Sequence, residues 1–88
     1  MTQIGIGIVG SGFMGLTYSE VITKYCPGAN LIAISGGSRA PELARQYRVP
    51  HVEDPQVLIT RADVDAVIIA TPHDTHARYA LPAARAGK

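Results

Sequence analysis

Apolar and small residues alternate strictly over Gln3-Ile4-Gly5-Ile6-Gly7-Ile8-Val9, with Ile4, Ile6 and Ile8 on one face and Gly5, Gly7 and Val9 on the other. A period of two reads as a β-strand, and the small residues predict close approach of a helix or a ligand to that face. The period then changes. Met14, Tyr18, Val21, Ile22 and Tyr25 recur at helical spacing, and Pro27-Gly28 ends that helix. Leu31-Ile32-Ala33-Ile34 reads as a second strand. Pro41 suits a first helical position, and Leu43, Ala44 and Tyr47 give the next helix its apolar face. Val49-Pro50-His51-Val52 predicts a short, edge-like third strand. Asp54 as N-cap and Pro55 after it predict a brief helix to about Thr60. Val64 to Ala70 contains the continuous apolar run Val67-Ile68-Ile69-Ala70, as in strands buried on both faces. Ala77, Ala80, Leu81 and Ala84 mark a last helix. Pro82 predicts a kink in it, because proline cannot donate to the Arg78 carbonyl. Gly87 is placed as its C-terminal cap.

The predicted order is βαβαβαβα. Strands alternating with helices imply an α/β fold with a parallel, doubly wound sheet. At 88 residues the chain is one small domain or part of a larger one. Its composition, 47% hydrophobic and 17% charged, is that of a globular chain and argues against long disorder. The net charge is +1 and the basic residues are scattered, which gives no footprint for nucleic acid or an acidic membrane surface. Cys26 is the single cysteine, so no internal disulfide forms, and at a helix end it reads as a small apolar residue. Ile4 to Val9 is too short for a signal peptide or a membrane span, so a soluble cytoplasmic protein is expected.

The chemistry starts at "GIVGSGFMG", residues 7 to 15. Gly10, Gly12 and Gly15 have the spacing Gly-x-Gly-x-x-Gly, after a predicted strand and at the opening of a predicted helix. That is the context the dinucleotide fingerprint requires. Gly10 permits the tight turn, Gly12 lets the backbone approach a pyrophosphate, and Gly15 lets helix and strand pack closely. Ser11, Phe13 and Met14 complete the loop, and the helix N-terminus supplies N–H groups for the phosphates. A turn without a ligand is the alternative.

The second strand runs into "ISGGSRA", residues 34 to 40. NAD-binding folds usually carry Asp or Glu here for the ribose 2′-hydroxyl. This stretch has Ser35, Ser38 and Arg39 instead, and the next acid, Glu42, already belongs to the helix. Hydroxyls and a guanidinium suit a 2′-phosphate, so NADP is favoured, with NAD possible through backbone contacts. "ATPHDTH", residues 70 to 76, lies at the carboxyl end of the last strand, where doubly wound folds bind ligands. Thr71-Pro72 makes the turn, His73 is a candidate cap, and Asp74 complements the helix dipole. His73 and His76 stand three apart, but no third metal ligand is evident, and a metal is not expected.

These motifs, together with the closing "ALPAARAGK", resemble in order and spacing the N-terminal part of the Gfo/Idh/MocA oxidoreductases, the glucose–fructose oxidoreductase and inositol dehydrogenase family. The resemblance covers essentially all 88 residues. It implies a Rossmann-like sheet truncated after about four strands, with residues 1–88 a partial NAD(P)-binding domain. It implies hydride transfer to or from a sugar, inositol or similar polyol in a longer protein, and possible homo-oligomers. Thr71, Pro72 and His73 would line the cofactor, with His73 standing where the family often has Asn. The family's catalytic lysine lies in a Glu-Lys-Pro motif beyond this stretch; Lys88 is not assigned that role, the catalytic residues are unknown, and His76 is a candidate cofactor-binding residue, with a structural role favoured over proton transfer. An open edge on the last strand predicts marginal stability and self-association. A non-catalytic dinucleotide sensor is the competing reading.

Overall fold

The computed structural model describes residues 3–88, apart from the His73 side chain. Strand β1 (Ile4–Val9) leads through helix α1 (Phe13–Tyr25) to β2 (Ala29–Ser35) and helix α2 (Ala40–Tyr47). A short helix α3 (Pro55–Ile59) precedes β3 (Ala66–Ile69), and a 3₁₀ turn (His73–Thr75) opens into α4 (His76–Arg85). The strands are parallel in the order β2-β1-β3.

Four strands were expected and three are found among the described residues. In place of the third predicted strand, Val49–Val52, there is a single parallel bridge between Ile34 and His51. Ile34 N–H donates to the Pro50 carbonyl at 3.2 Å, and Val52 N–H donates to the Ile34 carbonyl at 3.0 Å. Pro50 has no N–H to extend a ladder, which is the physical reason the segment stops at one bridge. The bridge lies beside β2, on the side away from β1, so the segment still occupies the expected edge.

Two apolar layers sandwich the sheet. Ile8, Leu31 and Ile34 pack against Ile22 of α1 and Leu43 and Ala44 of α2. On the other face Val9 and Ala33 pack against Leu58 and Ile59 of α3 and Ala83 of α4. Ile8, Ile34 and Leu58 are completely buried, each contributing about 1.5–3 kcal/mol in transfer free energy. The small residues of β1 admit this packing. A Cβ on Gly7 would lie 2.5 Å from Leu58 Cδ2, and one on Gly5 would lie 2.1 Å from the Asp63 carbonyl oxygen. The pairing of β1 with β2 shifts between Ile6 and Gly7, leaving Ile32 as an extra residue.

Helix α1 departs from its predicted apolar face. It buries Gly15, Ser19 and Ile22, whereas Met14, Tyr18, Val21 and Tyr25 are exposed, Tyr25 by 72%. The glycine decides the rotation. A Cβ at Gly15 would lie 2.3 Å from the Gly10 carbonyl oxygen, so this line of the helix faces the sheet and the larger side chains turn aside. Ser19, fully buried next to it, is satisfied by donating to the Gly15 carbonyl at 2.8 Å.

The helix ends follow the expected chemistry. Asp54 accepts the Gln56 N–H at 2.9 Å and Pro55 takes the first position of α3. Helix α4 continues through Pro82 to Arg85. Gly87, at φ +78, donates to Ala84, and Lys88 N–H donates to Ala83, which makes a Schellman close. No helix is long and apolar enough to cross a membrane among the described residues.

Candidate functional site

Three loops meet at the carboxyl ends of the strands. The first follows β1. Gly10 N–H donates to the Ser35 carbonyl at 2.7 Å, and the residue sits at φ +126, where a side chain is strained. A Cβ there would also lie 2.4 Å from the Ala70 carbonyl oxygen, so the turn is pressed against the chain leaving β3. Gly12 differs. Its φ is −79, and among the described residues a Cβ would meet no atom within 4 Å. Nothing in the described packing calls for glycine at this position. Helix α1 starts directly after it without a side-chain cap, and Leu16 N–H is the first to bond back, to the Gly12 carbonyl at 3.0 Å. The N–H groups of the preceding turn are directed out of the helix end. A cradle of this kind suits an anion.

The second loop is Gly36-Gly37, both at φ +87. A Cβ on Gly36 would stand 3.2 Å from Gly10 N, and one on Gly37 would stand 2.4 Å from Ser11 Oγ. The two glycine loops are thus packed backbone against backbone. Gly36 and Gly37 were not among the predicted site residues, although the Gly-Gly dipeptide is a signal for just such a close turn. Ser38 and Arg39 are exposed after them, and Arg39 precedes α2 without capping it by a side chain.

Ser35 corrects the sequence reading. It is fully buried, and its hydroxyl has no hydrogen-bond partner among the described residues. Alternation along β2 explains this: Ile34 points into the α1/α2 layer, so Ser35 points to the opposite face. Its side chain therefore does not reach the surface where a 2′-phosphate would bind.

The third loop follows β3. Thr75 Oγ1 lies 2.8 Å from Thr71 Oγ1 and donates to the Pro72 carbonyl at 2.7 Å. His76 Nε2 lies 3.0 Å from the Thr71 carbonyl oxygen. A carbonyl only accepts, so Nε2 carries the proton and the ring holds the turn in place. The residue at the N-cap of α4 is Thr75 rather than His73, because a 3₁₀ turn occupies His73–Thr75. The proposed capping by the His73 side chain lies outside the described residues.

Between the loops is a cleft of about 390 Å³, lined by Gly10, Gly12, Ser38, Arg39, Thr71 and Pro72 with Gly36, Gly37, Thr75 and Tyr79. Sequence reasoning did not single out Tyr79, which reaches the cleft because it stands one helical turn beyond Thr75. An adjoining groove of about 480 Å³ shares Ser11, Gly12 and Arg39 with the cleft and adds Phe13, Leu16, Glu42 and Gln46. Met14 lines neither. A larger cavity of about 630 Å³ lies at the other end of the sheet, beside Tyr25, Cys26, Tyr47 and Arg48. The ends of α1 and α2 that meet there are C-terminal and present carbonyls, the wrong polarity for a phosphate. Lys88 is also at that end. Its Nζ donates to the Arg61 carbonyl at 3.0 Å and to the Val64 carbonyl, next to the start of β3.

The loops that converge on the cleft fit a dinucleotide: a glycine turn, an uncapped helix N-terminus and a polar second loop. Known proteins are similar to this chain in sequence and fold. Inositol 2-dehydrogenase 2 of Saccharopolyspora erythraea is 36% identical over 97% of this chain, which spans 26% of that relative's length. The scyllo-inositol dehydrogenase of Lactobacillus casei, solved with NAD(H) and scyllo-inositol, superposes with a TM-score of 0.88 at 31% identity, over 99% of this chain and 26% of its own. Biliverdin reductase from Synechocystis, solved with biliverdin and NADP+, gives a TM-score of 0.89 at 31% identity, over 97% of this chain and 27% of its own. The chain thus spans about a quarter of the length of the relatives it matches. Residues 4–88 match the oxidoreductase family with an NAD-binding Rossmann fold named Gfo/Idh/MocA, and the chain belongs to that family.

Proposed function

We propose that residues 1–88 are the dinucleotide-binding part of a longer NAD(P)-dependent oxidoreductase that takes a polyol such as an inositol, or a related sugar, as substrate. The inositol dehydrogenases among its relatives support the substrate class. The cofactor, when bound, supplies the hydride chemistry. This chain binds and orients it. The backbone at Gly10, Ser11, Gly12, Phe13 and Met14 receives the diphosphate, and Gly15 keeps the helix close enough to do so. Thr71, Pro72 and His73 flank the cofactor from the β3 side, with His76 holding their turn. Ser38 and Arg39 receive the 2′-phosphate, so NADP is the preferred cofactor and NAD the weaker one. We place the protein in the cytoplasm, as a soluble homo-oligomer without nucleic-acid or membrane partners.

The observation that carries this reading is Gly12, a glycine for which the packing of the described residues gives no reason, at an uncapped helix start. The test is a side-by-side titration with NADPH and NADH, followed by nucleotide fluorescence; the chain has no tryptophan to interfere. NADPH is expected to bind about ten- to a hundredfold more tightly, as a charge-assisted contact to the 2′-phosphate implies. Arg39→Ala is expected to remove the gap. Equal or tighter binding of NADH would overturn the NADP assignment, and failure of both nucleotides would overturn the binding role of this chain.

A further inference from the structure

Arg39 faces two spaces at once. It lines the cleft between the glycine loops and also the adjoining groove between α1 and α2. Glu42, three residues on and in the first turn of α2, lines only the groove, with Gln46 one turn further along the same wall. Both Arg39 and Glu42 are exposed, and among the described residues no carboxylate pairs with Arg39. Residues three apart on a helix start are within side-chain reach. The loop Gly36-Gly37-Ser38 contains no acid, so among the described residues Glu42 is the only carboxylate lining either space.

From this placement we infer that Glu42 sets the cofactor preference by competing with the 2′-phosphate for Arg39. The inference rests on the proposed role of Arg39. With a 2′-phosphate in the cleft, Arg39 turns to it and gives up the pairing with Glu42, which weakens NADP. With a 2′-hydroxyl there, Arg39 turns into the groove to Glu42 and leaves room for the ribose. The pair lets one loop accept both cofactors, with a preference smaller than Arg39 alone would give. Glu42 is a specificity residue that acts through another side chain.

The test measures NADPH and NADH affinities for the unaltered chain and for Glu42→Gln, Arg39→Ala and the double variant. Because the readout is the ratio of two affinities in one protein, a change in folding stability cancels. Glu42→Gln is expected to raise the NADPH preference about two- to fivefold at low salt, the size of one exposed ion pair that the phosphate no longer has to displace. The gain shrinks in 0.5 M salt, where the Debye length is about 4 Å. Glu42→Gln has no effect on the ratio once Arg39 is alanine. Glu53→Gln, which removes an exposed charge away from both spaces, leaves the ratio where it is. An unchanged ratio in Glu42→Gln, while Arg39→Ala still abolishes the NADPH preference, overturns this inference and leaves the cofactor assignment standing. A ratio that Arg39→Ala does not alter, or binding of neither nucleotide, overturns the assignment and the inference with it.

Discussion

The two ends of the sheet handle their polar groups in opposite ways. At the amino end, hydrogen bonds close within the chain. Asp65 Oδ2 accepts Gly5 N–H at 2.7 Å, Asp65 N–H donates to the Gly5 carbonyl at 2.7 Å, and Lys88 Nζ ties down the carbonyls of Arg61 and Val64. At the carboxyl end, helices α1 and α2 start without a side-chain cap among the described residues. Helix α3, which lines neither the cleft nor the groove, is capped by Asp54. A capping side chain would compete with an external anion for the same N–H groups. The amino end closes its polar groups within the fold, whereas at the carboxyl end the first N–H groups of α1 and α2 are left open by their N-cap residues.

The glycines test this division most severely. Gly10→Ala forces a Cβ against the Ala70 carbonyl and imposes φ +126 on alanine. The expected loss is about 2–4 kcal/mol of unfolding free energy, from steric strain and an unfavourable backbone region together. Gly12→Ala, at φ −79 with no neighbour within 4 Å, is expected to change the denaturation midpoint little and to weaken nucleotide binding at least tenfold. Urea melts and nucleotide titrations on the two variants separate the effects. Loss of stability in Gly12→Ala, with binding intact, would show that the open loop serves the fold after all.

A smaller effect belongs to the amino end. Lys88→Met keeps the aliphatic stem and the backbone bonds of the Schellman close but removes two hydrogen bonds to carbonyls. The expected cost is about 1–2 kcal/mol, with no change in nucleotide affinity. A change in affinity would mean that the two ends are coupled through β3.

Much of this division was legible in the sequence, and the misses have specific causes. Strand β1, the caps of α3 and the Gly87 close follow from local rules of alternation, capping and positive φ, and those rules need no partner. The face of α1 was misread because hydrophobicity favours Met14, Tyr18, Val21 and Tyr25, whereas contact with Gly10 favours Gly15. Backbone proximity overrode side-chain hydrophobicity. The place of Ser35 depends on which face the last residue of β2 presents, and the register shift opposite Ile32 had no sequence signal. The segment around Pro50 carried a strand-like pattern but lacked a donor. For the site, Gly10, Gly12, Ser38, Arg39, Thr71 and Pro72 are brought to one cleft, while Gly36, Gly37 and Tyr79 emerge only when the loops are packed together.

Capping gives the next comparison. Asp54→Ala removes the side-chain acceptor for Gln56 N–H and is expected to cost about 1 kcal/mol. The reverse change, Gly12→Asp, provides a side-chain acceptor and a negative charge at the start of α1. It is expected to leave the fold intact and to abolish nucleotide binding, because the carboxylate occupies the N–H groups and repels the phosphates. If thermal melts and titrations showed Gly12→Asp binding nucleotide as before, the uncapped start of α1 would not be the phosphate site.

The smallest effect is at the exposed amino-end pair of Arg61 and Asp63, joined at 2.9 Å by both Nε–Oδ1 and Nη2–Oδ2. The hydrogen bonds from Arg61 hold the Asp63 carboxyl below its ordinary value of 3.8, with the Arg61 and Lys88 charges adding to the effect. A carboxylate whose pKa is lowered on folding stabilises the native state above the unfolded value, and that contribution disappears as pH falls through the folded value. Asp63→Asn is therefore expected to match the unaltered chain at low pH, fall slightly below it as pH rises from the lowered folded value to 3.8, and stay below by a constant amount from there to neutrality. Urea midpoints measured at intervals across that range check the sign. Because Asp63 is exposed and Arg61 is only half-buried, 0.5 M salt should erase most of the difference. A difference that survives salt would instead place the role of Asp63 in the geometry of the turn that leads into β3, at the end of the molecule where every such contact serves the fold.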